Sequence, residues 1–175
     1  MKGHPGGLNR TQSLLAQSGL APGARILDMG AGDGTAVRFL RQQGFQAVGI
    51  DLAGSADVLT GDFLHAPFQA ETFDAVLGEC SFFLSGHVPQ ALAEAWRLLK
   101  YGGTFLYADV CFQELAGLTA LLERTGFIVV DVQDLTADWR DYYFECLWSG
   151  WDGELPCAVP PGKTCRYYQV ICRKE

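Results

Sequence analysis

Residues 26–35 read ILDMGAGDGT, and this stretch decides the fold class of the chain. A short apolar run ends at Asp28, glycines then recur at every second position, and an amphipathic segment follows over residues 36–43. This order is typical of a buried strand, a tight turn and a helix that begins beneath the turn. Glycine lets the backbone approach a ligand closely, and the first turn of a helix has free N–H groups. The stretch therefore predicts a strand–turn–helix unit with a ligand at its turn.

A second acid extends this interpretation to a class of ligand. Seventeen residues beyond Gly34, the apolar run 47–50 ends at Asp51. In α/β folds, a glycine turn lies against the linker of an adenosine cofactor, and an acid after the next strand binds the ribose hydroxyls. Either Asp28 or Asp51 could instead cap the turn that follows its strand. The spacing and the glycine context favour a nucleoside cofactor.

The composition limits the kind of partner. The chain has 175 residues, 19% of them charged, and a formal net charge of −7. This length allows one domain with a sizeable core, so we expect a single domain over residues 1–175. With only 13 Lys and Arg, the chain lacks the basic face that nucleic-acid and anionic-membrane binders use. We therefore expect a small-molecule partner, with no nucleic acid and no membrane.

The N-terminus and the cysteines predict the compartment. No apolar run approaches the ~20 residues of a membrane span, and residues 1–7 lack the apolar core of a signal peptide. The six cysteines form no CxxC pair, so most are expected to be free thiols in a reducing compartment. The sequence therefore predicts a cytoplasmic protein and leaves its oligomeric state open.

Short apolar runs alternate with helical segments along the chain. This alternation predicts a mainly parallel sheet with helices on both faces, and ligands at the carboxyl ends of its strands. The helical segments are 8–18, 36–43, 88–100 and 113–125, and the strand candidates are 25–29, 46–51, 58–60, 73–79, 103–109, 127–132 and 166–173.

Two segments depart from this alternation, and the N-terminus precedes it. Only ten residues separate Asp51 from Asp62, which is too few for a full helix, so a short turn is expected there. The segment 137–165 is rich in aromatic residues and then in Gly and Pro, and it predicts a helix that continues as an irregular loop on the substrate side. Residues 1–20 form an N-terminal helix or lid, in which His4 could cover the site or belong to a disordered tail.

The motifs around the glycine turn select the cofactor. The spacing Asp28-x-Gly30-x-Gly32-x-Gly34 resembles the DxGxGxG motif of class I S-adenosylmethionine-dependent methyltransferases. The opening HPGGL at 4–8 and the loop GECSF at 78–82 resemble the type 11-like group of that family. Later segments match the same family in the same order. These are GDF at 61–63 with APF at 66–68, FDAV at 73–76, and LLKYGGTFL at 98–106.

The resemblance implies a fold and a cofactor. It implies a single Rossmann-like, mostly parallel sheet of seven strands with helices on both faces and the last strand antiparallel. It also implies S-adenosyl-L-methionine, with Asp28 beneath the methionine part, Asp51 on the ribose hydroxyls and Asp62 on the adenine amino group. Gly-Asp is also a common turn, and that is the other interpretation of Asp62. The implied cofactor-binding residues are Asp28, Gly30, Ala31, Gly32, Asp51, Leu52, Asp62, Phe63 and Glu79.

Catalytic residues cannot be assigned by motif. Methyl transfer from a sulfonium is an in-line displacement in which the protein mainly aligns the reactants. Glu79 could orient the methionine amino group, act as a base or be a solvated carboxylate. Cys80 could be a small buried side chain or could capture a soft acceptor such as a metalloid. His65 and His87 are further candidate bases, and no resident metal is expected.

The leading hypothesis is a methyltransferase for a small soluble acceptor whose identity and nucleophilic atom the sequence does not reveal. A nicotinamide-dependent oxidoreductase is the enzymatic alternative, but the third-glycine spacing of its GxGxxG turn and a Tyr-x-x-x-Lys pair are absent. A catalytically silent relative that senses the cofactor or binds a partner is the non-enzymatic alternative, because no full helix is expected beside the adenosine edge.

Overall fold

The computed structural model of the protein describes residues 5–149 and 164–175. In these residues the strands are β1 (Arg25–Met29), β2 (Gln46–Asp51), β3 (Val58–Thr60), β4 (Phe73–Glu79), β5 (Leu99–Cys111), β6 (Phe127–Asp134) and β7 (Arg166–Lys174). They form one sheet in the order β3-β2-β1-β4-β5-β7-β6. The strands from β3 to β5 pair in parallel, whereas β7 is antiparallel to both of its neighbours.

Helices cover both faces of this sheet. Over the described residues they are α1 (Gly7–Ser18), α2 (Thr35–Gln42), α3 (Val88–Leu98), α4 (Leu115–Thr125) and α5 (Thr136–Trp148). One apolar core lies between the sheet and α1, α2 and α5, and a second lies beneath α3 and α4. The fold class predicted from the sequence is confirmed, including the antiparallel last strand.

The boundary between α3 and β5 differs from the prediction. The sequence pattern predicts a helix that continues to Lys100 and a strand over 103–109, yet α3 ends at Leu98 and β5 begins at Leu99. Leu99 has an extended backbone and pairs with Phe73 of β4. Pairing with the neighbouring strand therefore replaces the last predicted turn of the helix.

The connection between β2 and β3 is short, as the spacing predicts. A turn with a bridge between Ser55 and Val58 fills it, and no helix occurs there in the residues that the structure describes. Asp57 in this turn forms ion pairs with Arg38 at 3.3 Å and with Arg41 at 2.8 Å. Both arginines belong to α2, so ion pairs to this helix fix the turn that connects β2 and β3 in place of a helix.

The aromatic segment begins as the predicted helix, α5. Its Trp139 is 8% exposed and stacks on Tyr143 with ring centroids 5.2 Å apart, so this part belongs to the core. The predicted irregular part falls largely on residues 150–163, which lie outside the described residues, as does His4 of the predicted lid. None of the helices in the described residues is long and apolar enough to cross a membrane.

Candidate functional site

A cavity of about 460 Å³ opens at the carboxyl ends of β1 and β4, beside the first turns of α1 and α2. In an open parallel sheet, this is the edge at which ligands bind. Gly7 and Leu8 of α1 contribute to the lining. Six residues singled out in the sequence also line this cavity: Asp28, Gly30, Ala31, Gly32, Glu79 and Cys80.

Two glycines of the turn have different surroundings. Gly30 has a φ of 86°, and a Cβ built on it would lie 2.2 Å from the Cβ of Ser81. Gly32 has a φ of 53°, and a Cβ built on it would meet no described atom within 4 Å. Both φ values lie in the left-handed region that favours glycine. Packing within the protein therefore requires glycine at position 30, whereas Gly32 leaves open space in which a ligand can approach the backbone.

Asp51 contacts the glycine turn from the end of β2. Its Oδ2 atom accepts a hydrogen bond from the Gly32 N–H at 2.9 Å, and its Oδ1 atom accepts one from the Ala53 N–H at 2.9 Å. A carboxylate has about four acceptor positions, so both oxygens can accept further bonds. The carboxylate is thus fixed by the backbone while it keeps the capacity to bind hydroxyl groups.

Asp28 is a buried acid at the base of the cavity. It is 3% exposed, and within the described residues its Oδ2 atom has no hydrogen-bond partner. Burial raises the pKa of this carboxyl to about 8, and the negative charges of Glu79 and Asp51 contribute to the rise. A buried acid without a partner is costly unless a ligand supplies a donor or a positive charge. Asp28 therefore suits a cationic ligand.

Glu79 is the second buried acid of the cavity, and α1 holds it. Burial raises the pKa of Glu79 to about 7, while the Thr11 hydroxyl and the charge of Arg10 act in the opposite direction. The Thr11 hydroxyl donates to the Glu79 Oε2 atom at 2.7 Å. Arg10 also forms an ion pair with Asp138 of α5 at 2.7 Å. The first helix is therefore tied both to the end of β4 and to α5.

Thr11 and Arg10 are site residues that sequence reasoning missed. Thr11, Leu14 and Ser18 are the buried residues of α1, with spacings of three and four. Since a buried hydroxyl needs a hydrogen-bond partner, a threonine on the apolar stripe of a helix is a signal for a buried polar contact. That signal marks Thr11, but it does not identify Glu79 as the acceptor.

Cys80 follows Glu79 in an uncommon backbone conformation, with a φ of 51°. Left-handed residues with side chains are found preferentially at functional sites. The Cys80 N–H donates to the Ala108 carbonyl at 2.9 Å, and its Sγ atom lies 3.4 Å from the Tyr167 hydroxyl. The half-buried thiol is therefore held at the end of the cavity. The described part of the chain places no group of three or more His, Cys, Asp or Glu side chains to hold a metal ion, and Cys157 lies outside that part.

Three residues predicted for the adenine end do not line the cavity. The Asp62 Oδ1 atom accepts from the Leu64 N–H at 2.8 Å, so this acid caps the short 3₁₀ turn that follows it. Phe63 is buried and stacks on Phe82 with ring centroids 5.6 Å apart, and Leu52 is 75% exposed. Local structure accounts for the positions of Asp62 and Phe63, and the roles of all three in cofactor binding stay predictions.

The histidines proposed as bases lie away from the cavity lining. His65 and His87 are both exposed. The His65 Nδ1 atom is 3.5 Å from the Asp62 Oδ2 atom, and its Nε2 atom is 3.1 Å from the side-chain nitrogen of Gln90. These are surface contacts, and they do not direct His65 toward the buried acids.

The residues of the cavity fit the cofactor that the resemblance implies. S-adenosylmethionine carries a positively charged sulfonium and an ammonium group, and the two buried acids that line the cavity can supply negative charge to them. Its ribose carries hydroxyls, from which Asp51 could accept hydrogen bonds; Asp51 is not among the lining residues but holds the Gly32 N–H of the lining turn. The open space at Gly32 allows close contact with the backbone.

The buried acids predict how stability depends on pH in the ligand-free protein. The raised pKa values of Asp28 (about 8), Glu79 (about 7) and Asp109 (about 7) mean that the folded chain holds protons that the unfolded chain has released. The stability that these protonated carboxyls contribute is fully present below the ordinary pKa values of carboxyl groups, and it is lost as the pH rises toward 8. We expect the melting temperature to fall by several degrees between pH 5 and pH 8, since each kcal/mol of stability lost corresponds to about 2–4 °C in a chain of this size. Thermal unfolding followed by circular dichroism measures this change.

Asp28→Asn should make this decrease smaller, because the amide does not titrate while Glu79 and Asp109 still do. Glu123→Gln changes an exposed acid of α4 and is the matched control, which should behave as the wild type does. Equal pH dependence in Asp28→Asn and in the wild type would show that Asp28 is not the titrating group.

Comparisons with known proteins place this site in a family. A family model described as a methyltransferase domain matches residues 27–107, which include the glycine turn and both buried acids of the cavity. An uncharacterized methyltransferase of Geobacillus kaustophilus is 29% identical over 155 residues, 78% of this chain and 68% of that protein. The ubiquinone/menaquinone biosynthesis C-methyltransferase of Paracoccus denitrificans is 31% identical over 160 residues, 79% of this chain and 64% of that protein.

A solved structure agrees at the level of the fold. Phosphoethanolamine N-methyltransferase 2 of Haemonchus contortus, in complex with S-adenosyl-L-methionine, matches with a TM-score of 0.77 at 19% identity. The match covers 98% of this chain and 53% of that protein. This likeness shows the class I fold, and the family model and the relatives show that the chain is an S-adenosylmethionine-dependent methyltransferase.

Proposed function

We propose that the chain is one methyltransferase domain that transfers a methyl group from S-adenosylmethionine to a small soluble acceptor. The observation that carries this proposal is the convergence of the glycine turn, Asp28 and Glu79 on one cavity that ends at Cys80. Bound there, the cofactor supplies a methyl group on a sulfonium whose sulfur is a good leaving group. The protein then has to align an acceptor atom with that methyl group and exclude water.

The residues divide the cofactor between them in this proposal. Asp28 and Glu79 attract the positively charged methionine part, and the Gly30–Gly32 turn lies against the linker. Asp51 accepts hydrogen bonds from the ribose hydroxyls. Asp62, Phe63 and Leu52 contact the adenine end. A pKa near 7 lets Glu79 give up or take a proton at neutral pH, which suits either a contact to the amino group or a role as base.

Several observations support a small acceptor. Two relatives are named for small-molecule methylation: the quinone C-methyltransferase and a glycine/sarcosine/dimethylglycine N-methyltransferase of Actinopolyspora halophila. The net charge of −7 is unfavourable for a nucleic-acid acceptor. The cysteines of the described residues are free thiols, which fits the reducing cytoplasm that we propose for the protein.

Transfer of an isotope-labelled methyl group tests the acceptor class. The protein is incubated with methyl-labelled S-adenosylmethionine and either a panel of small amines, phenols, quinols and carboxylates or a set of proteins and nucleic acids. We expect label in the small-molecule panel alone, and much less label with the Asp51→Ala variant at the same donor concentration. Label in protein or nucleic acid, or tight cofactor binding without any transfer, would contradict the proposal.

A further inference from the structure

A second cavity of about 250 Å³ opens at the carboxyl end of β5. It lies between the short turn at 83–85, the first turn of α3 and one side of α4. Apolar side chains from these elements line it, among them Phe83, Val88, Phe112 and Leu121. Of the described residues that form its walls, none carries a charge. The cavity is open to the surface, and a concave site lined mainly by apolar side chains is typical of a ligand site.

The walls of this second cavity are held in place by contacts of their own. Phe83 and Phe112 pack edge to face with ring centroids 5.1 Å apart. The buried Asp109 carboxylate accepts from the Phe83 N–H at 3.0 Å and from the Val110 N–H at 2.7 Å. Tyr107 is 1% exposed and packs against neighbouring rings of the core. The cavity is therefore preformed and does not depend on a side chain that is free to collapse into it.

One loop separates this cavity from the cofactor cavity. Cys80 lines the first cavity, and Phe83 and Gly86 of the same loop line the second. The loop is hydrogen-bonded to β5 at two points. The Cys80 N–H donates to the Ala108 carbonyl, and the Phe83 N–H donates to the Asp109 carboxyl group. The two cavities therefore lie on either side of one fixed loop, close to each other along the chain.

We propose that the second cavity binds an uncharged apolar ring or branched hydrocarbon that forms part of the methyl acceptor. The inference rests on the proposed function, since it assigns a substrate class to the same site. A dry apolar cavity of about 150 Å³ accommodates benzene, so a volume of about 250 Å³ suits a bicyclic ring. A charged group would lose its hydration there without gaining a partner, so the bound part is neutral.

A fluorescent probe of matched size tests the cavity. 2-Naphthol is titrated into the protein in the presence of S-adenosylmethionine, and 2-naphthoate provides a charged ring of the same size. Leu121→Phe fills the cavity from α4 and should weaken 2-naphthol binding by about tenfold or more. Leu115→Phe makes the same change on the same helix outside the lining and should leave the affinity within about twofold.

The outcomes separate this inference from the proposed function. Binding of 2-naphthol that is lost in Leu121→Phe and kept in Leu115→Phe supports the inference. No binding to the wild type, equal binding to both variants, or equal binding of 2-naphthoate overturns it. Calorimetric titration of S-adenosylmethionine into the same samples measures the affinity for the methyl donor independently of 2-naphthol. If the protein binds S-adenosylmethionine but not 2-naphthol, the proposed function stands and only the inference about the second cavity is overturned.

Discussion

If Asp51 binds the ribose hydroxyls as proposed, Asp51→Ala is expected to weaken S-adenosylmethionine binding by about 100-fold, because the variant would lose two hydrogen bonds to a charged acceptor at about 1.5 kcal/mol each. The half-buried carboxylate also holds the Gly32 and Ala53 N–H groups, so the turn becomes less ordered in the variant. Both N–H groups can bind water instead, and the sheet should remain folded. Isothermal titration calorimetry measures the affinity, and circular dichroism checks the fold.

Two variants make this result specific to the carboxylate. Asp51→Asn keeps one acceptor oxygen but loses the charge, so we expect a loss of about tenfold. Asp57→Ala removes an acid from the same edge of the sheet that pairs only with Arg38 and Arg41 of α2 in the contacts described above. This control should bind the cofactor as the wild type does. Near-normal affinity in Asp51→Ala would refute the ribose contact.

The central strands β1 and β4 could be predicted because they are buried on both faces and are therefore nearly continuous apolar runs. The error at Lys100 has a physical reason, since the amphipathic stripe of α3 continues to Leu99 while pairing with Phe73 draws that residue into the sheet. The apolar periodicity of one segment carries no information about the strand with which that segment can pair. Tertiary pairing therefore decides such boundaries.

The shared position of the glycine turn and the two acids could be predicted where backbone geometry dictates it. The turn requires glycine at positions 30 and 32, and both acids of β1 and β4 lie at the same edge of the sheet. Thr11 was missed because its contact with Glu79 joins parts of the chain far apart in sequence. The sequence does not decide the role of Asp62, because its carboxylate caps the turn that directly follows it. This contact is local and needs no ligand.

Gly30→Ala is expected to destabilise the folded protein by on the order of 3–5 kcal/mol. The left-handed φ of 86° is unfavourable for alanine, and the new methyl group would lie 2.2 Å from the Cβ of Ser81. Ser81 cannot move easily, because its hydroxyl donates to the Met29 carbonyl at 2.6 Å and its side chain is buried. Urea denaturation gives the free energy of unfolding for the variant and for the wild type.

Gly32→Ala is the matched substitution two residues later, and it should weaken ligand binding while it destabilises the fold much less than Gly30→Ala does. The left-handed φ of 53° costs about 1–2 kcal/mol for alanine, but no described atom lies within 4 Å of the new methyl group. That methyl group occupies the space in which the cofactor would approach the backbone, so affinity should fall by about tenfold or more. Equal losses of stability in the two variants would show that backbone strain alone decides both positions. An unchanged affinity in Gly32→Ala would mean that the cofactor does not contact the turn at this point.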